Sequence, residues 1–129
     1  MDGSWPLQQA LYGVLNAALE CAVYDDVPPK KPMPYVVIGD DTQLPDDTKT
    51  SLGFDMTITL HVWSDAKDGR REAKQLLGEI YDELHDANLT VTGFDAVSCS
   101  FEFSETVPDR DDKITHGIAR YRVVLDKAA

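Results

Sequence analysis

The sequence predicts an α+β fold: a largely antiparallel or mixed β-sheet with two α-helices packed on one face. Three observations predict it. The run GFDMTITLHVWS, residues 53–64, alternates Phe54, Met56, Ile58, Leu60 and Val62 with Asp55, Thr57, Thr59, His61 and Trp63. That period of two belongs to a strand with one buried face. Two other stretches repeat their apolar residues at helical spacing, and three short segments after the second of these are rich in β-branched and aromatic residues. Strands with one apolar face need a layer of helices to cover it, and two helices on a single face meet that need.

Along the chain, WPLQQALYGVLNAALE (5–20) places Leu7, Leu11, Val14, Leu15 and Ala18 on one helical face. Ser4 is positioned to cap it, and Pro6 falls in the first turn, where its missing N–H costs little. VYDDVPPKKPMP then holds four prolines between residues 28 and 34, which makes a stiff, extended connection. A short strand is expected at 35–38, and Val23 with Tyr24 offers one more. The strand 53–64 would span roughly 35 Å and overhang the domain. The second helix is read over 69–86, with Ala73, Leu76, Leu77, Ile80 and Leu84 as its stripe, and Gly78 is read as a point of close packing on the sheet. LTVTG (89–93), AVSCSFEFSE (96–105) and HGIARYRVVLD (116–126) read as strands, with Val97, Cys99, Phe101 and Phe103 sharing a face. The expected order is α-β-β-α-β-β-β, and 129 residues suit one domain.

Composition narrows the function. Net charge is −11 and the pI is near 4.4. A protein that grips nucleic-acid phosphates needs clustered Lys and Arg, so that class is disfavoured. No apolar run is long enough to cross a bilayer and no basic-then-apolar leader opens the chain, so it reads as cytosolic when made, with no membrane partner. Cys21 and Cys99 have neither C-x-x-C spacing nor the number for a disulfide framework, and Cys99 reads as a buried thiol.

Candidates for chemistry are weak. His61, His85 and His116 show no metal-site spacing, and His85 suits the negative end of a helix. Asp40, Asp41, Asp46 and Asp47, and the group Asp109, Asp111 and Asp112, lack the central Gly and terminal Glu of a calcium loop. Phosphate-loop and nucleophile-elbow patterns are missing too, so the residues imply no enzyme, cofactor or metal. What stands out is the acidic stretch 40–52, read as a loop. Connections beyond about 12 residues are usually functional or disordered, and Asp residues with Lys49 and Pro45 suit a loop ordered by a partner.

Several segments in order resemble a known family: LQQALYGVL, VYDDVPPKKPMPYVVIGDDT, DDTKTSLGFDMTITLHVWSDAKDGRREAKQLLGEIYDELH and FEFSETVPDRDDKITHGIARYRVVL. They are similar to the tail completion, or tail terminator, proteins of long-tailed phages and gene transfer agents, and the likeness covers nearly the whole chain. The resemblance implies a virion protein at the tail-head junction. There a homohexameric ring caps the tail tube protein, stops tube growth and meets the head-side connector or stopper protein. It also implies that no reaction is catalysed and that DNA passes the channel without specific binding. Six copies at −11 each would carry −66, which discourages DNA adhesion if that charge lines the channel. On this reading the subunit and partner interface draws on Asp40, Asp41, Asp46, Asp47 and Lys49, on Thr57, Thr59, His61 and Trp63, and on Arg120 and Arg122. Strand 53–63 would lend its exposed edge to a neighbour. An acidic, non-enzymatic binding module that recruits a basic partner is the alternative.

Overall fold

The computed structural model of the chain describes residues 2–48, 51–110 and 113–128. Helix α1 spans Ser4–Ala18 and is followed by strands β1 (Ala22–Tyr24), β2 (Tyr35–Pro45) and β3 (Gly53–Ser64). Helix α2 (Arg71–Leu84) comes next, then β4 (Phe94–Pro108) and β5 (Thr115–Lys127). The five strands form one sheet in the order β1-β2-β3-β5-β4, parallel between β1 and β2 and antiparallel elsewhere. The α+β architecture is therefore as read from the pattern, including the short strand at residues 23–24.

The core lies between the helices and one sheet face. Leu7, Leu11 and Leu15 of α1, and Ala73, Leu76, Leu77, Ile80 and Leu84 of α2, bury their stripes. They meet Met56, Ile58, Leu60 and Val62 of β3 and Ala119, Tyr121, Val123 and Leu125 of β5 in one cluster. Each buried aliphatic side chain adds about 1.5–3 kcal/mol relative to exposure, so this shared face sets the strand register. Ser64 is the exception in polarity. It is buried, and its Oγ donates to Glu72 Oε1 at 2.7 Å, tying the end of β3 to the start of α2.

Five expectations need correcting. First, 40–52 is not a loop. β2 continues to Pro45 and pairs with β3 as far as Pro45↔Phe54, leaving residues 46–52 as the connection. Gly, Asp and Pro are poor strand formers, but a partner strand as regular as β3 overrides that preference. Second, β3 is central, flanked by β2 and β5 along its length, so it has no edge to offer a neighbour. Third, residues 89–93 form no strand. Leu89 and Val91 are buried as side chains alone, and Gly93 (φ +90°) turns the backbone into β4. Fourth, a bulge between Phe101 and Phe103 sets Phe101 opposite Tyr121 but Phe103 opposite Arg120, so Phe103 leaves the core face. Fifth, Gly78 makes no close contact with the sheet: a Cβ built on it meets nothing within 4 Å.

The start of α1 also differs from expectation. Gly3 holds the N-cap position without a side-chain cap bond, and Ser4 lies inside the helix. Caps come from elsewhere: Asp2 Oδ1 accepts from the Ser4 N–H at 3.1 Å, and Gln43 Oε1 of β2 accepts from the Gly3 N–H at 2.7 Å. Glycine suits the close approach, because a Cβ at position 3 would sit 2.5 Å from Leu125 Cδ1 and 2.9 Å from Met56 Sδ and would push those side chains aside.

Candidate functional site

The residues expected to form an interface separate into two groups. Most of the strand residues collect on the sheet face turned away from the helices. Parity explains this. Thr57, Thr59, His61 and Trp63 alternate with buried partners in β3, and register sets them beside Arg122, Arg120, Ile118 and His116 of β5. Across this face Arg122 holds Asp55 in a two-pronged pair, Nε–Oδ1 2.9 Å and Nη2–Oδ2 2.6 Å. That hydrogen bonding lowers the Asp55 pKa below the ordinary carboxylate value. Arg120 reaches Glu102 at 3.0 Å and lies over the Phe103 ring, 5.1 Å from its centre. Thr42 and Thr57 share a 2.6 Å hydroxyl contact. These polar pairs are solvent-accessible and fix side chains more than they stabilise the fold.

The other end of the same face is aromatic. His61 Nδ1 and His116 Nε2 are 2.7 Å apart, and Trp63 stacks on the His116 ring at 3.9 Å with 6° between planes. Tyr24 and Tyr35 meet edge to face beside them, at 5.8 Å. A contact of 2.7 Å requires one imidazole to donate and the other to accept, so the pair carries at most one bridging proton comfortably. Burial lowers the pKa of both; Asp40 opposes the shift at His61, while at His116 the neighbouring His61 adds to it and Asp109 and Glu105 oppose it. Gly39 belongs to this arrangement, since a Cβ there would lie 2.7–2.8 Å from the His61 ring.

The acidic residues make no hydrogen bond to that face among the described residues, although Asp40 acts on His61 and Asp46 on Arg122 through their charge. A bulge between Ile38 and Asp41 accommodates Gly39 and Asp40, leaving Asp40 exposed. Past the bulge Asp41 pairs with Ile58 on the helix side, where its Oδ2 accepts from Ser4 Oγ at 2.6 Å. Asp41 is thus a clasp on α1, as Gln43 is. Asp46 donates its N–H to Gly53 O at 3.0 Å, and Asp47 Oδ1 accepts from the Gly53 N–H at 3.2 Å, closing the hairpin end. Lys49, expected as an ionic anchor, lies outside the described residues, as do Asp111 and Asp112 of the second acidic group.

Among the described residues no three His, Cys, Asp or Glu side chains converge to hold a metal ion, and no helix is long and apolar enough to cross a membrane. Burial pushes the Cys99 thiol up to about 11 and raises Cys21 as well, so neither is a ready nucleophile. His85 follows the last turn of α2. Its Nδ1 accepts from the Phe101 N–H at 3.1 Å and its ring stacks on Tyr81, fastening α2 to β4.

Sequence reasoning missed several surface residues. His116, Glu102 and Phe103 belong to the uncovered face, and of these only His116 was signalled, by its parity with Arg120 and Arg122. Exposed apolar side chains were also missed: Leu44 and Leu52 near the hairpin end (64% and 56% exposed), and Trp5 and Tyr12 on α1. Their helical spacing from the buried stripe marks Trp5 and Tyr12 as outward-facing.

Comparison with known proteins gives the chain, as a whole, a family. The family model of tail completion protein gp17 matches residues 7–126. The tail completion protein gp17 of Bacillus phage SPP1 is 31% identical over 118 residues, covering 92% of this chain and 83% of that protein. Among solved structures, a chain from the virion of a native gene transfer agent particle superposes with a TM-score of 0.80. It is 26% identical, with 93% of this chain and 94% of that one covered. The protein described here is a structural phage-tail type of chain, and it belongs to the tail completion protein gp17 family.

Proposed function

We propose that this chain assembles as a ring of six copies that caps the tail tube, ends its elongation and joins the tail to the head-side connector. The observation that carries the reading is the family match over residues 7–126. A similar fold within a gene transfer agent virion supports a place in a particle of this kind. The surface is in keeping with it: the β2–β3 hairpin carries exposed Leu44 and Leu52 among Asp40, Asp46 and Asp47, a mixture suited to docking. The sheet face bearing Thr57, Thr59, His61, Trp63, Arg120 and Arg122 is the second contact surface in this proposal. A net charge of −11 per copy keeps a DNA-conducting channel from binding its cargo.

Shortening the hairpin tests the reading while sparing the clasp on α1. Residues 46–52 are replaced by Asn-Gly, joining Pro45 directly to the turn before Gly53 and keeping Asp41 and Gln43. The expected result is a folded protein whose producer strain yields separate heads and tails, with tails of uncontrolled length. Normal yields of joined particles would overturn the assembly role assigned to the hairpin.

A further inference from the structure

We propose, building on the ring reading above, that neighbouring copies join edge to edge: Trp5 of one copy fills the groove beside Gly78 of the next. The sheet order β1-β2-β3-β5-β4 leaves two different edges at its opposite ends. At one end β1 covers β2 only as far as Tyr24↔Val37, and no described strand pairs with that side of β2 from Ile38 to Pro45. At the other end the outer edge of β4 is occupied near its middle, where Cys99 O accepts from the Asp86 N–H and Phe101 donates to His85. Past Phe101 that edge borders a groove of about 430 Å³ between β4 and α2, and the Arg70 guanidinium touches it at a loose 3.5 Å from Thr106 O. Unpaired strand edges of this length are templates for adding another strand.

Each free edge carries a helix on the same side of the sheet, and the two helix surfaces are complementary. The groove beside β4 is lined by Lys74, Leu77, Gly78, Tyr81 and Phe101, with Glu105 at its rim. Gly78 leaves a notch there, because an added Cβ meets nothing. Beside β2, α1 presents Trp5 (60% exposed) and Tyr12 above Ile38 and Asp25. An aromatic ring lacking a cover faces a notch lacking a plug. Lys74 and Arg70 on one side face Asp25 and the exposed Asp40 on the other, in a chain where cations are scarce.

Strand direction agrees. Three successive antiparallel pairings make β2 antiparallel to β4, so a copy rotated about a ring axis offers β2 in the antiparallel sense. Register sets a stagger. Thr42 lies level with Ser100 through Thr57 and Arg122, whereas the free part of β4 is centred near Glu105. Because the bulge at Glu102 adds no rise, joining the two shifts each copy by about four residues, or about 14 Å, across four strand spacings that total about 19 Å. The resulting tilt of about 35° is that of strands in closed barrels. Because the two edges differ, the contact is head-to-tail, the kind that forms a ring where the rotation between copies closes.

The test uses full-length protein in a producer strain carrying only the variant. Gln9→Cys and Ser104→Cys are combined and treated with a short bismaleimide, each single substitution serving as control for Cys21 and Cys99. Particles should yield a ladder in multiples of the 14.3 kDa chain from the double variant alone. Separately, Gly78→Leu fills the notch and replaces a helix-interior glycine, so the purified protein should melt no lower than the parent while joined particles fall at least tenfold. A double variant that stays monomeric in particles containing the chain, or cross-links to a different protein, overturns the proposal and leaves the ring function standing. Gly78→Leu particles at parental yield overturn it too. Joined particles that lack the chain altogether overturn the ring function itself, and this contact with it.

Discussion

Acidification is expected to loosen the fold through the histidine pair on the uncovered face. Burial holds both His61 and His116 below their ordinary pKa of 6.5, with each ring's neighbour a second imidazole only 2.7 Å away. The unfolded chain therefore binds more protons than the folded one as pH falls. The stabilising contribution is intact above pH 6.5 and is withdrawn below it. Each pH unit over which one ring stays neutral in the fold while the unfolded chain takes up its proton withdraws at most about 1.4 kcal/mol. Both rings are partly open to solvent, which reduces the expected loss to about 1 kcal/mol. Urea unfolding at pH 7.5 and pH 5, at constant ionic strength, measures this in the parent and in the His61→Gln/His116→Gln double variant. The many carboxylates contribute alike to both proteins, so the parent should lose about 1 kcal/mol more than the variant. An equal loss in the two proteins would refute the reasoning, since it would mean the rings gain their protons without hindrance in the folded state.

Two further outcomes follow from the core and the helix clasp. Tyr121 is fully buried and its hydroxyl has no hydrogen-bond partner among the described residues, so Tyr121→Phe should stabilise the protein by about 1 kcal/mol; a lowered urea midpoint would contradict the unpaired hydroxyl. Gln43→Met removes the acceptor of the Gly3 N–H and should cost about 1 kcal/mol, with faster amide exchange confined to the first turn of α1. Unchanged exchange at Gly3 and Ser4 would show that the strand does not hold the helix start.

Short-range pattern was enough for much of this protein. The alternation in β3, the leucine spacing in α1 and the stripe of α2 each state which face is buried, because burying one face per element is the dominant favourable term. Those signals led to the α+β class, and the ordered segments led to the family. Pairing across the sheet could not be read the same way. Whether 40–45 is strand or loop depended on β3 lying beside it, and one extra residue in each of two bulges moved Asp41 onto α1 and Phe103 out of the core. His61 and His116 are 55 positions apart in the chain and touch only because the β3–β5 register makes Trp63 face His116. The open edges, the Gly78 notch and the outward Trp5 likewise arise from strand order, a long-range property. Periodicity reports what each segment hides from water; which segments become neighbours is settled by how those hidden faces fit together.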